Sequence, residues 1–277
     1  MPGRRRLALV GALTAGLLTT GLATGPAFAA DDSEGPDDTD ASSTEMATSN
    51  AISGAITDAA DDAASDTEGK DAVSAKAWRV AAETVGLPDD DATATDASGA
   101  TAAVTYKTLT ITTQMQKRSY WCGPAAGRAT LTAFGVTKDQ GAMAASMHTT
   151  VAGTYASKIY PALNTYESRN HYYDDKTTKS AKDLFARTKV DVGSAFKAPL
   201  IPLVQGHSLP MWNNVGYHGL HFISLYGYGS DGVSIKYFDP IDATALYGRH
   251  VVNRKYVYAA MNARYDNDGK ADNELVW

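Results

Sequence analysis

The stretch Gln116-Lys-Arg-Ser-Tyr-Trp-Cys-Gly-Pro-Ala125 holds Cys122, the only cysteine of this 277-residue chain. The Cys-Gly-Pro sequence predicts the start of a helix, because proline fits a first helical turn, and Gly135 predicts that the helix ends at Phe134. At a helix start the free N–H groups and the helix dipole favour the nucleophilic thiolate. Gln116 lies upstream, where its amide could donate to an oxygen that becomes negative during acyl transfer. A buried, inert cysteine with a solvated Gln116 is the open alternative.

Residues 1–29 have the composition of a secretion signal. Arg4 to Arg6 form a positive region, residues 7–24 are mostly apolar and small, and Ala27-Phe28-Ala29 is typical of a peptidase cleavage site. We expect a mature chain that begins near Ala30, is secreted to the extracellular space and keeps no membrane anchor. A lone thiol in an oxidising compartment has no intramolecular disulfide partner, which favours a chemical role for Cys122.

The charge of the chain is divided between two segments. Residues 31–100 contain 18 acidic and three basic residues, with one aromatic, Trp78, so we expect most of this segment to be disordered. From Thr101 onward there are 13 acidic and 19 basic residues and all 15 tyrosines, which predicts one ordinary domain. The opposite charges favour an intramolecular contact of the acidic segment with the basic core.

One part of the acidic segment differs from the rest. Residues 73–86 have a helix-like spacing of apolar groups and stop at Gly86; these groups are Trp78, Ala81, Ala82 and Val85. The helix could dock on the core as part of a pro-segment. A solubilising linker with a nascent helix is equally open, and we predict that residues 30–100 are dispensable for folding.

The core is predicted to belong to the α+β class, because helices come first and strands follow. Besides Cys122 to Phe134, the pattern predicts helices at Asp139 to His148, Ala156 to Tyr166 and Lys179 to Thr188. It predicts strands at Val104 to Thr113, Pro199 to Val204, Leu220 to Tyr228, Val233 to Phe238 and Tyr256 to Tyr258.

Among six histidines, His221 stands out because it begins a run that leads through a Gly-Ser-Asp-Gly turn into a second strand ending at Asp239. With a three-residue loop at 230–232, residue 229 pairs with 233 and the odd positions of both strands share one face. His221 and Asp239 then meet, as a carboxylate that orients an imidazole requires. A two-residue Asp-Gly turn would place them on opposite faces. His218 is the competing imidazole.

These residues resemble those of papain-fold cysteine peptidases related to the bacteriocin-processing, double-glycine leader peptidase family. The similarity spans about Val104 to Met261 and is carried by the order Gln116, Cys122, His221, Asp239. The resemblance implies a papain-like α+β fold in which Gln116 is the oxyanion donor, Cys122 the nucleophile, His221 the base and Asp239 its orienting partner. It is closest to secreted, stand-alone members, because the sequence carries an export signal and contains no membrane domain or ATPase.

We therefore predict a secreted cysteine peptidase with the catalytic residues Cys122, His221, Asp239 and Gln116, a peptide or protein substrate, no cofactor, no metal and no nucleic-acid partner. An acyltransferase or amidase on the same fold and a catalytically silent binding module are the alternatives. The predicted organisation is a signal peptide at 1–29, an acidic segment at 30–100, a peptidase domain at 101–265 and a polar tail at 266–277. The alternating carboxylates of Asp266 to Asp272 resemble a calcium loop but lack its terminal Glu, so a polar tail is favoured.

Overall fold

Helices dominate the first part of the described chain and strands the second. The computed structural model describes residues 67–92, 103–212, 219–241, 248–263 and 273–277. The helices are α1 Thr67–Thr84, α2 Cys122–Thr132, α3 Gln140–Ser146, α4 Ala156–Tyr166, α5 Ala181–Gly193 and α6 Arg254–Asn262. The strands are β1 Tyr106–Thr108, β2 Asp174–Asp175, β3 Ile201–Gln205, β4 Leu220–Phe222, β5 Ser224–Gly229, β6 Ser234–Phe238, β7 Arg249–Asn253 and β8 Leu275–Val276. The predicted α+β class is confirmed.

The strands form two antiparallel four-stranded sheets, with the orders β1-β5-β6-β7 and β2-β8-β3-β4. An isolated bridge between Leu200 and Leu225 connects them. The predicted long strand from Leu220 to Tyr228 is therefore divided at Ile223, so that β4 pairs with β3 and β5 pairs with β6. This division places His221 where the two sheets meet.

Two large hydrophobic clusters and a small one, which contains Ile111, Ala129, Tyr226 and Phe238, fill the interior of the described part of the chain. One includes residues of α5, α6 and the strands, among them Leu225, Ile235 and Tyr237. The other packs α2, α3 and α4 against the second sheet and includes Phe222, with Cys122 at its margin. Cys122 thus lies at the boundary between the helical part and the sheet part of the molecule.

Several predicted helix boundaries agree with the structure. The helices α2 and α4 begin at the predicted residues, and Gly135 adopts a φ of +79°, a conformation that favours glycine after a helix. Asp139 caps α3 by accepting a hydrogen bond from the Ala142 N–H at 2.9 Å. The predicted strand at Val104 to Thr113 is reduced to the three residues of β1.

The predicted strand at Tyr256 to Tyr258 is wrong, because these residues lie in α6. The buried side chains of α6 follow helical spacing, and Asn253 caps the helix by accepting from the Lys255 N–H at 3.0 Å. The buried residues are Arg254, Val257, Ala260 and Met261. Of the two tyrosines that suggested a strand, Tyr256 is exposed and Tyr258 is partly buried against the main core.

The hairpin of β5 and β6 has the predicted register only at the end away from the turn. Leu225 pairs with Tyr237 as predicted, but next to the turn Tyr228 pairs with Ile235, one residue away from the predicted alignment. A bulge between Leu225 and Gly227 absorbs the difference. A one-residue slip in register moves every side chain of a strand to the opposite face of the sheet. The bulge removes this slip before the strand reaches Asp239, so the Asp239 side chain lies on the predicted face.

The predicted domain boundaries need correction at both ends. Residues 273–277 are not a polar tail: β8 lies between β2 and β3, and Trp277 is buried. The segment 67–92 is also part of the fold, since α1 packs on α5 and Val80 joins the main core. Whether residues 30–100 are dispensable for folding stays a prediction, to be tested with a chain that begins near Thr101. The predicted calcium-like loop at Asp266 to Asp272 lies outside the described residues.

Helix α1 is present and packs on the core, but not through the apolar residues whose spacing predicted it. The apolar stripe faces solvent, with Trp78 75% and Val85 82% exposed, whereas Lys76 and Val80 face the core. None of the helices in the described part of the chain has the length and apolar character needed to cross a membrane.

Candidate active site

Cys122 is the first residue of α2 and is half-buried. Gly123, the next residue, packs closely against the Thr154 side chain. A Cβ at this position would lie 2.8 Å from Thr154, so only glycine fits there without displacement. On the other side, the Ser224 hydroxyl donates to the Ala126 carbonyl at 3.1 Å and connects α2 to β5. These contacts place the thiol beside β4, which carries His221.

His221 and Asp239 meet as the sequence predicted. The His221 Nε2 lies 2.6 Å from Asp239 Oδ1, and both side chains are buried. A hydrogen bond also joins His221 to Cys122. Because Nε2 faces the carboxylate, Nδ1 is the ring nitrogen left to face sulfur. The structure therefore brings Cys122, His221 and Asp239 into one line of contacts.

The electrostatics of this line favour a thiolate and an imidazolium. Burial raises the pKa of Cys122, but the hydrogen bond and charge of His221, with backbone hydrogen bonds at Phe222 and Gly123, outweigh burial and lower the pKa below its ordinary value. Burial lowers the pKa of His221, but Asp239 and the thiolate more than offset this and raise it to about 10. Both shifts favour the thiolate–imidazolium form of the pair over the neutral form.

Asp239 is held as a carboxylate by several donors. Burial raises its pKa, but the charge and hydrogen bond of His221, with donation from Trp212 Nε1 at 2.8 Å and from the Ile241 N–H at 3.0 Å, hold the pKa below its usual range. The carboxylate therefore stays ionised and keeps the His221 ring oriented.

Gln116 lies on the loop before α2, and its position relative to Asp239 is fixed by the backbone. The Gln116 N–H donates to the Pro240 carbonyl at 2.8 Å. Its side-chain Nε2 donates to the carbonyls of Arg118 at 2.9 Å and Ser119 at 2.6 Å. Both N–H groups of the amide are therefore engaged within the loop, so the predicted oxyanion role requires Gln116 to exchange one of these bonds for substrate.

Gln140 is a residue of the site that sequence reasoning missed. Its buried side chain accepts from the Lys117 N–H at 2.9 Å and donates to the Met115 carbonyl at 2.6 Å and to Gln114 Oε1 at 3.1 Å. It holds the loop on both sides of Gln116. A glutamine after the Asp139 cap carries no local signal of this role, because its partners are more than 20 residues away.

Trp212 was also missed. It follows a short 3-10 turn at Gly206–Ser208, is half-buried, and donates to the oxygen of Asp239 that does not contact His221. We identify it as a positioning residue. The competing imidazole, His218, lies outside the described residues.

We expect Trp212→Phe to lower kcat/KM by about 10-fold to 10²-fold, because a hydrogen bond to a charged group contributes about 1.5–3 kcal/mol. The acid limb of the pH profile should move to higher pH, since loss of the donor raises the pKa of Asp239. Trp78→Phe, at a tryptophan exposed on α1, is the matched control and should leave the profile unchanged. Identical profiles for both variants and the parent would contradict this role.

With this geometry established, comparison with known proteins identifies the family. The profile of the Peptidase_C39 like family matches residues 107–272, which is more than half of the chain. The chain belongs to this family. The match agrees with the resemblance inferred from the sequence, and the α+β class is the one that the structure has.

Solved structures give more distant similarities. A candidate C39-like peptidase from Bacillus anthracis is 15% identical, with a TM-score of 0.44, covering 62% of this chain and 96% of that chain. A double-glycine motif protease from an AMS/PCAT transporter, in complex with its leader peptide, is 12% identical, with a TM-score of 0.38, covering 61% of this chain and 91% of that chain. A search of curated proteins finds no match. Within the described residues, no group of three or more His, Cys, Asp or Glu side chains could hold a metal.

Proposed function

We propose that this chain is an exported cysteine peptidase that hydrolyses peptide bonds through an acyl thioester on Cys122. One observation carries the proposal: the His221 ring is hydrogen-bonded to Cys122 on one side and lies 2.6 Å from Asp239 on the other. Membership of a C39-like peptidase family supports hydrolysis of peptides. The signal-like residues 1–29 support export, with a mature chain that begins near Ala30.

The mechanism follows from the charged resting pair. The Cys122 thiolate attacks the carbonyl carbon of the substrate, and the carbonyl electrons form an oxyanion. The His221 imidazolium donates its proton to the leaving amine as the C–N bond breaks, which leaves an acyl thioester. Neutral His221 then takes a proton from water, whose oxygen attacks the thioester carbon. The C–S bond breaks, the carboxylic acid leaves, and the thiolate–imidazolium pair is restored.

The oxyanion would form at the start of α2, where the first N–H groups lack carbonyl partners in the preceding turn. The Cys122 N–H is the nearest of these to the reacting sulfur. Gln116 Nε2 is the second proposed donor, and it reaches the oxyanion by exchanging its bond to the Arg118 or Ser119 carbonyl.

Thiol reactivity tests the charged pair without a known substrate. We expect the rate of iodoacetamide alkylation of Cys122 to rise with a midpoint well below the pKa of about 8.5 of a free thiol. His221→Ala should move this midpoint upward, because the hydrogen bond and charge that lower the pKa of Cys122 are lost. A parent protein that reacts only above about pH 8.5 would favour the silent binding module.

We expect Gln116→Ala to lower kcat by about 10²–10³-fold, as loss of one oxyanion donor does. The variant also loses two loop hydrogen bonds, so a control must measure the effect of loop disturbance alone. Gln114→Ala is suitable, because Gln114 lies in the same loop and contacts Gln140. Equal losses of kcat in the two variants would show that Gln116 only shapes the loop.

A further inference from the structure

A buried ion pair lies outside the candidate active site. Lys76 Nζ on α1 is 3.0 Å from Asp191 Oδ2 on α5, and both side chains are completely buried. The second carboxylate oxygen, Asp191 Oδ1, has no hydrogen-bond partner within the described part of the chain. Neither residue contributes to the mechanism proposed above.

Four aromatic rings surround the ammonium group of Lys76. Its Nζ lies 5.0–6.0 Å from the ring centroids of Trp277, Phe196, Tyr173 and Tyr172. Aromatic faces attract cations, and several such rings around one cation form the cages by which proteins recognise alkylammonium ligands. We call Asp191 and these four rings the ammonium cage.

The ammonium cage is held in place by the core. Tyr172 donates its hydroxyl to the Pro199 carbonyl at 2.9 Å, and Trp277 Nε1 donates to Asp175 Oδ2 at 3.0 Å. The backbones of Tyr173 and Trp277 exchange hydrogen bonds at 3.2 and 3.1 Å. None of these bonds involves α1, so three of the four rings have supports that do not depend on the residue they enclose.

The docking of α1 has the features of a bound peptide. Its apolar stripe faces solvent, and among its side chains described from residue 76 onward the most buried is Lys76. Apolar residues of similar volume would avoid the cost of burying two charges, so packing alone does not require an ion pair at this position. Other described contacts of α1 are made by Val80, by Arg79 over the Phe196 ring at 5.3 Å, and by a partly exposed pair of Lys189 and Glu83 at 2.5 Å.

We propose that the ammonium cage is a binding site for a primary alkylammonium group, which the chain fills with its own Lys76. The site fastens α1 to the core and accepts a lysine side chain or a small alkylammonium ion of the same shape. It is independent of the peptidase site, because no residue of the ammonium cage takes part in the proposed chemistry.

Chemical rescue in the full chain tests the site. Lys76→Ala removes the three terminal methylenes and the amine, and n-propylammonium supplies the same four atoms. At a concentration ten times its Kd, n-propylammonium should raise the Tm of Lys76→Ala by about 3–6 °C. At equal concentration, n-propanol tests the role of charge, and sodium chloride at equal ionic strength corrects for screening. Saturation of the shift with concentration gives Kd.

Two further variants show whether the effect belongs to the site. Lys189→Ala removes a lysine from the same helix interface without opening the ammonium cage and should show no shift with n-propylammonium. Lys76→Ala combined with Asp191→Asn should lose the shift, since the carboxylate is absent. Equal shifts with n-propylammonium and n-propanol, or an equal shift in Lys189→Ala, would overturn the proposal.

If Lys76→Ala does not fold alone, its refolding yield becomes the measurement. The proposal expects folding to be recovered with n-propylammonium and not with n-propanol. The same yield without additive, with n-propanol and with n-propylammonium would contradict it. These readouts do not use peptidase activity, so the site can be tested whether or not the chain hydrolyses peptides.

Discussion

Replacing Cys122 with alanine is expected to abolish peptide cleavage, with a loss in kcat of about 10⁴-fold or more. The reason is chemical: alanine cannot attack a carbonyl or carry an acyl group, and only the oxyanion donors and substrate binding remain. The measurement is cleavage of a peptide library by the parent and Cys122→Ala side by side, with products identified by mass spectrometry. The same products reveal the substrate preference.

The variant should keep its fold, because Cys122 lies at the edge of a cluster that other residues fill. An unchanged Tm is therefore the control. Cys122→Ser is a useful second variant, since a hydroxyl has no thiolate-like charge at neutral pH and should also be nearly inactive. Full activity in purified Cys122→Ala would exclude the proposed enzyme, and acyl transfer to an added amine would support the acyltransferase alternative.

Replacing His221 with alanine should be almost as damaging as loss of the thiol, because the two residues act as a unit. Asp239→Asn should cause a smaller loss, on the order of 10²–10⁴-fold, since Asp239 orients and stabilises the imidazolium without touching the substrate. His218→Ala is the matched control and should retain nearly full activity. Equal losses of activity in His221→Ala and His218→Ala would contradict the assignment of His221 as the base.

The pH profile separates the electrostatic role of Asp239 from a structural one. In the parent the pKa of His221 is raised to about 10, so the imidazolium persists well above neutral pH. Asp239→Asn removes the carboxylate that raises this pKa, and the basic limb of kcat/KM should move down toward the ordinary imidazole value of about 6.5. A lower rate with an unchanged basic limb would show that Asp239 only supports the fold.

Local patterns were sufficient to place Cys122 at the start of its helix. Pro124 after Gly123 and the terminating Gly135 act within one element, so their effect can be inferred without knowing what packs against it. The alternation of side chains likewise brought His221 and Asp239 together. That inference succeeded although the turn register was wrong, because the bulge after Leu225 restored the alignment.

Local patterns were misleading where one face of a segment was assumed to be its buried face. In α6 the tyrosines suggested a strand, although Arg254, Val257 and Met261 have helical spacing. In α1 the helical spacing of apolar groups does not mark the face that contacts the core, since Trp78 is largely exposed. Burial there is decided by the partner surface, which a single segment does not encode.

The sequence by itself determined the α+β class and the candidate catalytic groups: a thiol at a helix start, followed in the chain by an imidazole and a carboxylate. Only the tertiary structure decided what supports that chemistry. Trp212 reaches Asp239 across 27 positions, Gln140 reaches Met115 across 25, and Lys76 reaches Asp191 across 115. The packing of whole helices and strands brings such pairs together. Contacts over these separations cannot be predicted from the spacing or periodicity of residues within one segment.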